Sequence, residues 1–363
     1  MGTISDSRFY GTTPDIRNDE VINEIFNMPF EDLGGGVIRF PGVVNIDRST
    51  LLPYIDKHSK SAHEQRWTWD HDEEGNLYAI NEDGNKFSPE QVQMVPVRLL
   101  EVVNSETEPE MIEVFRYWED MIYKCLLKYI DQFPMVLGTI WWRTKGHAMR
   151  YDEGAFLGIH NDNDSNYRAT NGERFVPRGQ IQMRQVVAVM LYLNVWWKVK
   201  GHLVSYSVEN GGKFLGPHSD TSADYSYGFP HPHDQLATRN TISCIVYLND
   251  NFDGGHHYFN YLDIDYKPCA GDILMFPSNY MAAHEVKETT GGSRYTYLGW
   301  YSHGTPNELV NEHIVDPIEN PELAKTATNI YMPTLRSDFA EYLNKVDPGK
   351  TSFGHSLVES MHS

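Results

Sequence analysis

Cysteine is scarce in this chain, with three among 363 residues, and Cys125, Cys244 and Cys269 lie far apart. That spacing offers neither a disulfide framework nor a zinc-binding pattern. Basic residues are outnumbered, 30 Lys and Arg against 50 Asp and Glu, which leaves a formal net charge of -20. Such a field repels nucleic acid and anionic membranes, so neither is expected as a partner. Long apolar runs are missing too, and nothing approaches the ~20 residues that span a bilayer. The opening residues MGTISDSRFYGTTPD lack the basic and then apolar blocks of a signal peptide, and Asp6 stands where a myristoylation motif takes Ser or Thr. The expectation is a soluble protein of a reducing, cytoplasmic compartment.

Hydrophobic residues make up 40% and aromatics 13%, so a core of real size can form. The first third reads as mixed support. A short helix is expected around Glu20 to Asn27, then a turn and strand at 34–44, and a helix from Arg48 to His58 capped by Ser49 or Thr50. A small hairpin is expected near 71–87. The clearest helix runs from Thr107 to Gln132, because Met111, Phe115, Trp118, Ile122, Cys125, Leu126 and Tyr129 recur at three- and four-residue steps. Thr107 and Glu110 fit a capping box, and Pro134 ends the helix.

Beyond Pro134 the pattern changes to short β-branched and aromatic runs between Gly, Asn and Asp clusters: VLGTIWW, QVVAVMLYLNVWW, HLVSYSV, NTISCIVYL, HHYFNYL, GDILMF and RYTYLGWY. After Thr305 no further strand is expected, and SDFAEYLNKV is the best late helix. The implied organisation is a mixed support region over 1–136, a β core over 137–305 and a helical tail over 306–363.

One constellation in the β core carries chemistry. His218 and Asp220 lie two apart, His284 follows, and Arg294 comes ten residues later. Two imidazoles and a carboxylate on one face of a ferrous ion leave three positions open for substrates. The first half of this set occurs twice. WWRTKGHAMRYDEGAFLGIHND at 141–162 aligns with WWKVKGHLVSYSVENGGKFLGPHSD at 196–220, and each leads to an Arg and a strand ending in YLN. We read a tandem duplication, 141–194 and 196–249. Two HxD pairs, His160/Asp162 and His218/Asp220, therefore compete for one downstream His and one Arg. The second pair runs directly into the shared elements and is favoured. Tyr151, nine residues before His160, argues for the first, since Tyr206 lies twelve before His218.

The stretch from Tyr206 to Trp300 resembles the catalytic core of the prolyl 4-hydroxylase-like branch of the Fe(II)/2-oxoglutarate dioxygenase superfamily. The matching pieces are HSD at 218–220, YLND and FDGG at 247–255, AGDILMFPS at 270–278, HEV at 284–286 and GSRY ending in Trp300. The resemblance implies a double-stranded β-helix, or jelly roll, buttressed by the flanking helices. It implies Fe(II) held by His218, Asp220 and His284, with 2-oxoglutarate clamped by Arg294 and Tyr206 and with molecular oxygen as the third reactant. A planar, permanently charged guanidinium matches a carboxylate in bidentate fashion. An intact metal carboxylate favours hydroxylation over halogenation, with succinate and CO2 as co-products. One departure is visible: after the GG, where an acidic residue and Thr are usual, stand His256, His257 and Tyr258.

His231 and His233, in a long loop, are candidate substrate contacts. So are Trp300 and the inward member of His256/His257, which alternate on a strand. For want of a recognisable peptide-binding module, a small-molecule or amino-acid substrate is expected. Oxidative ring closure, as in kainoid-forming dioxygenases, and peptidyl-prolyl hydroxylation stand as alternatives, as does a cupin-like metal-binding jelly roll without oxygenase activity.

Overall fold

In a computed structural model of the chain, the structure describes residues 14–162 apart from 62–67, 76, 81–85, 88–93, 102–108, 141 and 145, then 239–303, 329–332 and 334–347. The N-terminal third contributes helix α1 (Asp19–Phe26), strands β1 (Glu31–Gly34) and β2 (Val37–Phe40), and helix α2 (Arg48–His58). Short strands β3 (Lys60–Ser61), β4 (Thr68–His71), β5 (Leu77–Ile80) and β6 (Lys86–Phe87) follow, then β7 (Met94–Glu101) and the long helix α3 (Pro109–Gln132). The core continues through β8 (Trp142–Thr144), β9 (His147–His160), β10 (Arg239–Tyr247), β11 (Asp253–Gly254), β12 (His257–Phe259) and β13 (Ile264–Tyr266). It closes with β14 (Ile273–Pro277), β15 (His284–Val286), β16 (Thr289–Gly291) and β17 (Arg294–His303), before β18 (Asn329–Tyr331) and helix α4 (Leu335–Val346).

The main sheet is antiparallel, in the order β1-β2-β14-β10-β17-β9-β15-β12-β13. Side chains alternate across it, and the alternation sorts two layers. From β10, β14 and β17, Ile242, Cys244, Val246, Ile273, Met275, Tyr295, Tyr297 and Tyr301 face the helices. Ile245, Tyr247, Leu274 and Phe276, the intervening residues, face the interior with Phe259 and Tyr266. Arg294 and Leu298 share that inner parity on β17. This is the mainly β, jelly-roll core with flanking helices that the sequence implied.

Helix α3 covers the outer layer. Its Phe115 and Trp118 rings pack on Tyr297, at centroid distances of 6.3 and 5.3 Å. Glu119 of the same helix is buried, accepting from Arg143 Nη1 at 2.7 Å and from the Tyr297 hydroxyl. Tyr123 donates to Asp338 at 2.6 Å and ties α4 to α3. Because Pro134 has no N–H to continue the ladder, the chain leaves α3 in a 3-10 turn over Pro134–Thr139.

Several expectations need correcting. The α2 cap is Asp47, which accepts from the Ser49 backbone at 3.0 Å and from the Ser49 and Thr50 hydroxyls. A carboxylate outcompetes the two hydroxyls and turns them into donors. VLGTIWW is mostly the 3-10 turn, with only its last Trp in β8. Strands do not stop at Thr305, for β18 pairs with β8. The 71–87 hairpin has three strands, β4-β5-β6. Thr107, QVVAVMLYLNVWW and HLVSYSV lie outside the described residues.

Candidate metal and co-substrate site

Strand β9 builds most of the site. Its first half pairs with β17, placing Tyr151 opposite Arg294. Its last residues pair with β15, placing His160 opposite His284. Between them Gly154 has φ +82°, a conformation that costs other residues dearly and lets the strand turn from one partner to the other.

His160, Asp162 and His284 come together, with one ligand atom from each all within 4.8 Å of one another. Their orientations are set locally. His160 Nδ1 donates to the Gly158 carbonyl at 2.8 Å and His284 Nδ1 to the Ala282 carbonyl at 3.0 Å. A carbonyl can only accept, so both Nδ1 atoms carry hydrogen and both Nε2 lone pairs are free for a metal. Those Nε2 atoms lie 3.4 and 3.9 Å from Asp162 Oδ1. The other carboxylate oxygen accepts from Ser243 Oγ at 2.5 Å, and Ser243 in turn contacts Ser278 Oγ at 2.8 Å. Burial would raise the Asp162 pKa, but the charges of His284 and His160 and the hydrogen bonds from His160 and Ser243 hold it well below the usual range. His284 is pushed down to about 4 by burial. Two neutral-capable imidazoles and a fixed carboxylate are a donor set that suits Fe(II).

Arg294 is 1% exposed, yet its Nε and Nη2 have no partner among the described residues. Its guanidinium lies 4.9 Å from the Tyr151 ring and 5.3 Å from the Tyr247 ring. A buried cation with no carboxylate against it is costly unless an anion joins it. The FDGG motif makes room beside it. Gly255, at φ +61°, sits where a Cβ would lie 3.0 Å from Arg294 Cδ, 3.0 Å from Phe252 and 3.2 Å from Thr289 Oγ1. Thr289 Oγ1 is itself buried without a partner. The cradle thus fits a ligand that is anionic at the Arg294 end. In the AGD motif, Asp272 accepts from Arg39 Nε, the Gly42 backbone and Tyr266, pinning β14 to β2.

Among the described residues, His284 gathers with the first-copy pair His160 and Asp162. The favoured pair His218 and Asp220, with Tyr206, lies outside the described residues, as do His231 and His233. Tyr151 lies opposite Arg294, 4.9 Å from its guanidinium. Of the paired histidines, His257 is the inward one, fully buried, while His256 meets Asp265 at the surface. Trp300 shares the inner parity of Arg294 and packs on His147 at 5.3 Å. Sequence reasoning missed Ser243 as the residue orienting Asp162.

The sequence family described as the 2OG-Fe(II) oxygenase superfamily matches residues 201–302. The chain carries a 2OG-Fe(II) oxygenase domain. The cofactors of this family are Fe(II), 2-oxoglutarate and oxygen. The match begins in the second repeat copy and so spans His218 and Asp220, whereas the cluster found among the described residues uses the first copy. Prolyl 3-hydroxylase 1 from Rattus norvegicus and from Homo sapiens are each 32% identical to this chain over 89 residues. That match covers 22% of this chain and 12% of each relative's length. Similar solved structures include a Pseudomonas putida prolyl-4-hydroxylase, at 15% identity and TM-score 0.36, covering 78% of this chain and 97% of that one. Another is a 2OG-Fe(II) oxygenase family oxidoreductase from Burkholderia pseudomallei, at 10% identity and TM-score 0.37, covering 79% and 92%.

Proposed function

We propose that the protein hydroxylates an aliphatic C–H bond at a site where His160, Asp162 and His284 hold Fe(II) and Arg294 holds 2-oxoglutarate. The observation that carries this is the uncompensated buried Arg294 in the same interior as a two-histidine, one-carboxylate face. A cupin-like binding protein has no need of that guanidinium. When bound, the metal, the keto acid and oxygen together supply the oxidising power, and succinate and CO2 leave.

The chain's own contributions are positional. Backbone carbonyls of Gly158 and Ala282 fix the tautomers of the two histidines. Ser243 fixes the carboxylate, and the intact Asp162 favours oxygen insertion over halide transfer. Arg294, Tyr151 and Tyr247 offer charge and hydroxyls to the distal carboxylate of the co-substrate. The aromatic wall of Phe259 and Phe276 keeps the inner side of His284 apolar.

For the substrate, the similarity to prolyl 3-hydroxylase 1 supports a prolyl residue in a peptide over the small molecule expected at first. Succinate release should be measured for wild type, His160→Ala and His218→Ala, with and without proline-rich peptides. Loss of turnover and iron binding in His160→Ala alone supports the first-copy site. Loss in His218→Ala alone refutes it and returns the site to the second copy. Peptide-stimulated succinate with a mass gain of one oxygen supports the prolyl substrate.

A further inference from the structure

His257 stands in the interior with no assigned task. It is fully buried, and its ring stacks on His284 at a centroid distance of 4.5 Å, between Phe259 at 4.8 Å and Phe276 at 5.4 Å. Its Nδ1 lies 3.3 Å from the Tyr247 hydroxyl, and its Nε2 is buried with no partner among the described residues.

The proton positions follow from the neighbours. A phenol is a stronger donor than a neutral imidazole, and an imidazole nitrogen is a stronger acceptor than a phenol oxygen, so the Tyr247 hydroxyl is the donor of this pair. The single phenolic proton therefore points at His257. Nδ1 is its acceptor, which leaves the ring hydrogen on Nε2. Tyr247, whose ring lies 5.3 Å from the Arg294 guanidinium, thus stands between that cation and His257, which ends in an N–H donor with no partner among the described residues. A buried donor without an acceptor is unfavourable, and such groups are rare unless a ligand or water completes them.

We propose that His257 is a co-substrate ligand whose Nε2–H donates to an oxygen of 2-oxoglutarate, adding a hydrogen bond to the charge of Arg294. The inference rests on the oxygenase reading above. It also gives a use to the residue at which the FDGG segment departs from the family pattern. Sequence inspection alone placed His257 as a substrate contact; its contact with Tyr247, whose ring lies 5.3 Å from the Arg294 guanidinium, assigns it to the co-substrate instead.

The test is an anaerobic titration of the Fe(II)-loaded full chain with 2-oxoglutarate, read by the visible charge-transfer absorption of the ferrous keto-acid chelate. His257→Phe keeps the stacked ring and removes the donor, whereas His257→Gln keeps a donor. The expected result for His257→Phe is a Kd about tenfold to a hundredfold weaker, the range for a hydrogen bond to a charged group, with a shifted band. His257→Gln should retain most of the affinity, and iron binding should be unchanged in both. A His257→Phe Kd within about twofold of wild type overturns the proposal, because Nε2 then faces only water. Loss of iron in His257→Phe also overturns it, assigning the residue to support of His284. If wild type binds iron but shows no band, the oxygenase reading itself fails, a result distinct from either.

Discussion

Tyr151 and Arg294 face each other across the β9–β17 ladder, with the guanidinium carbon 4.9 Å from the tyrosine ring centre. Arg294→Ala should therefore remove the only buried cation at this end of the described site. Truncating one member of a buried charge pair costs about 2–5 kcal/mol, so 2-oxoglutarate affinity should fall by roughly 30-fold or more. Iron affinity should stay near wild type, since no metal-ligand atom is touched. Tyr151→Phe removes one hydroxyl and should cost about 0.5–1.5 kcal/mol. Calorimetric titration with Mn(II) as the metal separates the two effects. A normal 2-oxoglutarate Kd in Arg294→Ala would refute the clamp.

The Ser243 hydroxyl donates to Asp162 at 2.5 Å. Residues that orient a metal ligand typically change affinity about 10- to 100-fold when removed. Ser243→Ala should weaken Mn(II) binding by that order, read by the electron paramagnetic resonance signal of free metal. An unchanged metal Kd would mean that other contacts fix Asp162.

What could be read from the sequence divides by range. Helix α3 was legible because its apolar faces repeat locally, and the order of HxD, FDGG, AGD, HEV and Arg294 gave the site's inventory. The choice between His160 and His218 was not legible, because the repeat copies look alike locally. It is the long-range pairing of β9 with β17 and β15 that brings the first copy beside His284 and Arg294. Strand β7 went unseen because Pro96 breaks its pattern. In the fold the missing N–H falls at the register shift between Val95 and Val97. The α2 cap was misplaced by two residues because Ser49, Thr50 and Asp47 are all competent caps.

Asp120, on α3 beside Glu119, has its pKa raised from 3.8 to about 6 by burial, an effect that Lys124 and Arg143 only partly offset. The folded value lies above the unfolded one, so the folded state binds the proton more tightly. The carboxylate is thus a liability above pH 6, and the liability fades as the pH falls from 6 towards 4. Asp120→Asn should raise Tm at pH 7.5 and give no gain near pH 4. The side chain is partly exposed, so solvent screening limits the benefit to about 1 kcal/mol. A Tm difference that does not depend on pH would show that charge is not the cause.

Gly255 and Gly42 share φ +61°, but only Gly255 has neighbours where a side chain would go. Gly42 has nothing within 4 Å of a Cβ, whereas Gly255 has Arg294 Cδ and Phe252 at 3.0 Å. Each substitution to Ala pays the same backbone strain of about 1–2 kcal/mol for the left-handed conformation. Melting temperatures should therefore fall in both variants. A Cβ at Gly255 must also displace the stem of Arg294, so 2-oxoglutarate affinity should weaken in Gly255→Ala and stay unchanged in Gly42→Ala. Equal affinities in the two variants would mean that the arginine has slack in its seat and that the FDGG turn serves the backbone alone.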